Sequence, residues 1–168
     1  LSFSIVIFLW IAAAIIVALK VGFGIARWTG PADSIYAAHQ INEPLDIKTG
    51  LASTLAAFTA ASGGGSVGQY GPLVHFGATM GIWVKRFVSS RLSHEVYLGC
   101  GVAAAIAAGF HAPIAGIVFA HEAVLRHFSF RALTPIAISS ITSVWFGTAI
   151  FGGEPIFVLD AAATDLLP

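Results

Sequence analysis

Three prolines stand where helices would begin inside otherwise apolar sequence: Pro31, Pro72 and Pro113. Proline suits a first helical turn, because the N–H it lacks would have no intrahelical partner there and its φ is already helical. Thr29-Gly30 precedes the first, and Gln69-Tyr70-Gly71 the second. Each therefore brings glycine and a side chain able to donate a hydrogen bond to a helix start. A helix start carries about half a positive unit charge and N–H groups without partners. Two or three such starts converging at mid-membrane bind an anion without a full positive charge. A buried Lys or Arg would hold the ion too firmly to release it, whereas dipoles and hydroxyls bind and let go. The chemistry on offer is reversible anion coordination. The same prolines and glycines also serve simply to kink closely packed spans, and the pattern alone leaves both readings open.

Other signals are weaker. Gly64-Gly65-Ser66-Val67-Gly68 fits G-x-S-x-G, which makes an intramembrane serine hydrolase a remote alternative, with Ser66 as nucleophile and His75 or His111 as base. The strand-turn-helix context of that motif is missing. Gly63 to Gly68 also fits G-x-G-x-x-G, but no strand precedes it and no acid follows at the required distance. His121 and His127 fall on opposite sides of a helix, and the one cysteine, Cys100, excludes a Cys-rich site, so neither a metal nor a cofactor is expected. His75, one turn beyond Pro72, reads either as a hydrogen-bond donor near a pore or as a polar residue packed between helices.

The elements that must position these residues are apolar helices. Of the 168 residues 57% are hydrophobic and 10% charged, and the mean hydropathy is +0.88; soluble domains carry about 25% charged residues. Residues 51–84, 96–121 and 132–153 contain no Lys, Arg, Asp or Glu, and each run suffices to cross a bilayer core of about 20 apolar residues. The fold class is all-α: a single polytopic membrane domain over 1–168, with broken and half helices. Its spans are expected near 1–27, 47–62, 72–88, 93–109, 113–127 and 133–151, with a half-helix near 31–40. Asp46 reads as the N-cap of the helix from 47, and Ser93 as half a capping signal for the helix after it. Five glycines lie from Gly63 to Pro72. Such a backbone cannot be a regular helix, and at membrane depth it survives only where protein buries it or it lines a polar cavity. Glu122 and Arg126 are spaced for an i,i+4 ion pair. The net charge of 0 gives no footprint for nucleic acid. With no initiator Met, the sequence reads as an internal piece of a longer membrane domain, and the end of the first span, marked by Lys20 and Arg27, is expected on the cytoplasmic side.

Gly68-Gln69-Tyr70-Gly71-Pro72-Leu73-Val74-His75-Phe76-Gly77-Ala78 resembles the second signature of the CLC chloride channel and transporter family, Gly-Lys/Arg-Glu-Gly-Pro followed by an apolar helix. The block from Gly101 through Phe110-His111-Ala112-Pro113-Ile114-Ala115-Gly116 to Glu122 is similar to that family's Ala-rich helix and its Phe-Asn-Ala-Pro-Leu-Ala-Gly turn. Thr29-Gly30-Pro31 falls, more loosely, where a Gly-Ser-Gly-Ile-Pro signature belongs. The resemblance covers nearly the whole chain and corresponds to the central part of the first half of that fold.

It implies chloride or a similar anion as ligand, with anion-binding residues Thr29, Gly30, Gln69, Tyr70, Gly71 and Pro72. Thr29 would replace the serine whose hydroxyl meets the ion, and the backbone N–H groups of Gln69, Tyr70 and Gly71 would border the outer sites. Tyr70 stands at the gating-glutamate position and Ala123 at that of the inner proton-relay acid. A phenol stays protonated near neutral pH, so passive, uncoupled transport is expected rather than chloride/proton exchange. For Tyr70 the other reading is an aromatic plug in the vestibule, and for Thr29 a helix N-cap, which shares the same hydroxyl. The family's pore takes further ligands from a second, inverted half, so a non-conducting half-module is the main alternative. A homodimer through the helices after Pro113 and Pro135, and a bacterial-type plasma membrane as location, follow from the resemblance as well.

Overall fold

The computed structural model describes residues 2–40, 45–66, 68, 70–88 and 92–152. Gln69, residues 41–44 and the segment 153–168 lie outside them. Among the described residues seven α-helices follow in order: α1 Ser2–Phe23, α2 Pro31–His39, α3 Ile47–Ser62, α4 Tyr70–Lys85, α5 His94–Phe110, α6 Pro113–Phe119 and α7 Phe130–Phe151. Among the same residues there is no strand.

Local chemistry accounts for the helix starts. The Asp46 carboxylate accepts from the N–H groups of Lys48 and Thr49 at 3.3 and 3.0 Å, satisfying donors that the first turn of α3 leaves open. Ser93 precedes α5 without a capping bond, its hydroxyl donating to Glu95 at 3.1 Å instead. α4 begins at Tyr70, two residues ahead of the expected Pro72, which places the proline within the first turn, where its missing N–H costs nothing. α7 begins at Phe130, with Pro135 inside it. The Ser129 carbonyl opens that helix by accepting from Ala132 and Leu133 at 3.1 and 2.9 Å. The proline therefore removes only one bond, near the N-terminal end.

The continuous helix expected over 113–127 divides in two. α6 passes into a π-helical turn, Ala120–Leu125, that ends at Arg126 in the left-handed region, φ 56°. A π turn holds more residues than an α turn, so i and i+4 no longer share a face. The Glu122–Arg126 ion pair expected from α-helical spacing does not form. Both side chains are exposed.

α5 is the centre of the packing, with Leu98, Val102, Ala103 and Ala107 wholly buried. α4 crosses it through glycine. A methyl group at Gly77 would strike the Gly101 carbonyl, and one at Gly81 would strike the Tyr97 carbonyl. The Gly77-x-x-x-Gly81 pair thus lets two backbones touch, the close approach by which helices pack when lipid supplies no hydrophobic drive. α7 lies on the other side of α5 and is joined to it by hydroxyls: Ser139 donates to the Cys100 carbonyl at 2.9 Å and Ser143 to Ala104 at 2.8 Å. Ser140 donates to Pro113 at 2.7 Å, tying α7 to the start of α6.

The outer helices present large apolar side chains outward. Trp10 on α1 is 74% exposed, and Trp145 and Phe151 on α7 are 68% and 85% exposed. The stretches Val6–Phe23 and Phe130–Phe151 are long and apolar enough to cross a bilayer. So much exposed apolar surface on two long helices matches lipid rather than water.

Candidate functional site

Pro31 and Gly71 are far apart in sequence, and the fold brings them into contact. A Cβ built on Gly71 would lie 3.3 Å from Pro31 Cγ, so the first turns of α2 and α4 meet. α2 has nine residues, about half the span of a bilayer core at ~1.5 Å per residue. Gly68, in the glycine-rich link leading to α4, takes φ +66°, a conformation that disfavours any side chain.

Thr29 does not cap α2. The cap residue is Gly30, and its N–H donates to the Asp33 carboxylate at 2.8 Å. That carboxylate also pairs with Arg27. Gly30, counted among the anion-binding residues, therefore has its N–H already engaged, because an acid three residues into a helix reaches back to the cap.

The Thr29 hydroxyl turns inward, into a polar cluster drawn from four segments. It lies 2.9 Å from His75 Nε2 and 3.1 Å from Ser53 Oγ, while the Thr29 N–H donates to Ser53 Oγ at 3.0 Å. His75 Nδ1 lies 2.6 Å from Ser34 Oγ. His75 is 1% exposed, Ser34 and Ser53 are buried, and Thr29 is partly open. Thus α2, α3, α4 and the chain entering α2 each supply one polar group. Of these four, Ser34 and Ser53 are not among the residues that the sequence singles out. Their signal is a hydroxyl on an apolar helix, which needs a partner when buried in a membrane.

Tyr70 lies apart from this cluster. Its ring stacks on Phe110, with centroids 4.2 Å apart and planes 18° from parallel. It lines a cavity of about 710 Å³ with Pro31, Gly71, Val74, Phe110 and Ala112. Thr29 is not part of that wall. Gln69 lies outside the described residues. Ser66 is exposed on the link before α4, and His75, one of its two candidate bases, has both ring nitrogens occupied by Thr29 and Ser34.

The described residues form an all-helical architecture with a half-length α2, glycine-mediated crossings and apolar outer faces. Residues 3–167 match the family described as voltage gated chloride channel, and the chain belongs to that family. It is 25% identical over 127 residues to the voltage-gated ClC-type chloride channel ClcB of Yersinia pseudotuberculosis serotype O:1b, covering 75% of this chain and 30% of the relative. The protein of the same name from Citrobacter koseri is 24% identical over 129 residues, covering 77% and 31%. The chain spans about a third of the length of the curated relatives it matches. Membership makes it an integral membrane protein of a channel and transporter family.

Proposed function

We propose that this chain forms part of a passive path for chloride or a similar small anion, bound where the first turns of α2 and α4 meet. The observation that carries the reading is the contact of Gly71 with Pro31 beside the partly open Thr29 hydroxyl. Two helix N-termini that meet near a hydroxyl support anion binding through dipoles and O–H donors. Thr29, Tyr70, Gly71 and Pro72 border the ion, and the family resemblance adds Gln69 to that set. Gly30 contributes shape rather than a free N–H.

Tyr70 stands at the gate position and carries no exchangeable carboxyl, and Ala123 carries none at the inner position, so transport runs without proton coupling. No cofactor takes part, and no covalent chemistry is assigned to Ser66. The apolar faces of α6 and α7, including Ile114 and Trp145, are the surface for a homodimer in a bacterial-type plasma membrane. A second reading is a non-conducting half-module that needs a second half, since by the family resemblance further pore ligands come from an inverted repeat.

Reconstitution into chloride-loaded liposomes tests both. Chloride efflux indifferent to an imposed pH gradient supports the passive path. Chloride uptake driven by a proton gradient contradicts it, and the absence of any flux supports the half-module.

A further inference from the structure

We propose that His75 is a positioning residue of the anion site, holding the Thr29 hydroxyl in the orientation that donates outward. The inference rests on the reading of Thr29 as an anion ligand given above.

The argument is a proton count. A neutral imidazole has one donor and one acceptor nitrogen, and each hydroxyl has one proton. Ser34 Oγ lies 2.6 Å from His75 Nδ1 and 3.5 Å from the Gly30 carbonyl. That carbonyl already accepts the Ser34 N–H at 3.2 Å. A 2.6 Å contact is shorter than an N–H donor usually makes and ordinary for a hydroxyl donor. This favours Ser34 donating to Nδ1 over its long 3.5 Å bond to the carbonyl and places the ring proton on Nε2. Nε2–H then donates to Thr29 Oγ1 at 2.9 Å. With its oxygen accepting from His75, Thr29 keeps its own proton for another acceptor. Ser53 Oγ, 3.1 Å away, is a neutral acceptor shared with the Thr29 N–H, and a charged anion at the mouth of α2 is the stronger acceptor for that proton.

The opposite tautomer reverses the outcome. Nε2 would then take the Thr29 proton, and the hydroxyl would offer an anion only its lone pairs. The Ser34–His75 contact thus sets the donor direction of a group outside itself, as the second nitrogen of a metal-bound histidine sets the first. His75 remains a positioning residue because it is buried and reaches the ion only through Thr29.

Two amides separate the ends of the ring. The Gln amide stands as many bonds from Cα as Nε2, and the Asn amide as many as Nδ1. His75→Gln keeps a donor for Thr29, and His75→Asn keeps only the Ser34 end. Ser34→Ala, which removes one atom and cannot overfill its site, releases the tautomer without touching Thr29. Half-saturating chloride is measured for each by efflux from liposomes of the protein, with thermal unfolding in detergent alongside.

The expected result is wild-type-like chloride dependence in His75→Gln and about tenfold weaker dependence in His75→Asn and Ser34→Ala, the worth of one hydrogen bond to an ion. In a Thr29→Val background the His75→Asn effect vanishes. Equal chloride dependence in wild type, His75→Asn and Ser34→Ala overturns the role of His75 and leaves the anion reading standing. A weakening that tracks unfolding temperature in all variants, His75→Gln included, reduces the cluster to packing and overturns it too. No chloride flux from wild type overturns the reading on which it rests.

Discussion

The Tyr70 ring lies face to face with Phe110, centroids 4.2 Å apart and planes 18° from parallel, across the mouth of an apolar cavity. α4 and α5 are thereby joined at the end where α4 begins. Tyr70 rests on Phe110, while the Thr29 hydroxyl lies 2.9 Å from His75 Nε2.

From that stack follows a stability prediction. Tyr70→Phe retains both rings and shifts unfolding by less than ~0.5 kcal/mol, whereas Tyr70→Ala loses the aromatic pair, worth about 0.5–1.5 kcal/mol beyond buried area. A double-mutant cycle with Phe110→Ala in detergent checks it, and a coupling near zero would show that the two rings touch without stabilising.

The α4–α5 crossing has no room for a side chain at Gly81 or Gly101, where a Cβ would collide with backbone that cannot rotate away. Gly81→Val should cost about 3 kcal/mol or abolish folding. Gly147 on α7 has open space where a Cβ would stand, with nothing within 4 Å, and should accept Ala with a slight gain in helix propensity. Thermal unfolding of the two variants gives the comparison.

The hydroxyls of Ser139 and Ser143 reach carbonyls one turn apart on α5. Each Ser→Ala change should cost about 0.6 kcal/mol, the usual value for a polar contact between helices in a membrane. The double variant should show the sum in unfolding measurements, because the bonds end on separate carbonyls.

Asp46 gives a pH dependence whose sign is fixed. The Thr49 side-chain hydroxyl holds its carboxyl below the usual carboxylate range, with the N–H groups of Thr49 and Lys48 acting the same way and burial opposing them. A depressed folded-state pKa contributes stability that is present above the unfolded value of about 3.9 and lost as pH falls through the folded value. Asp46→Ala should cost about 1 kcal/mol at pH 7. Asp46→Asn should keep the cap and lose the acid-side dependence, which unfolding curves from about pH 3 to neutrality would reveal.

The start signals are legible in the sequence because they are local: Pro31 opens a half-helix, Asp46 caps α3, and the small residues of α5 let its neighbours approach. Relations between distant segments are less so. Thr29, Ser34, Ser53 and His75 are separated by up to 46 residues, and each alone reads as an isolated polar residue whose partner a single sequence does not name. The π turn after α6 leaves no spacing signal, so the 113–127 region reads as regular helix and Glu122 as the partner of Arg126. Tyr70 and Thr29 both flank helix starts, and nothing in their spacing shows that one lines the apolar cavity while the other joins the buried polar cluster.

The most direct test of the central claim is chloride efflux from liposomes with and without a pH gradient, in wild type and in Tyr70→Glu. The account predicts wild-type efflux that ignores the gradient, and a variant whose efflux becomes pH-dependent as the new carboxyl competes with the anion and yields when protonated. Proton-gradient-driven chloride uptake by wild type, or efflux from Tyr70→Glu that matches wild type at every pH, would contradict it.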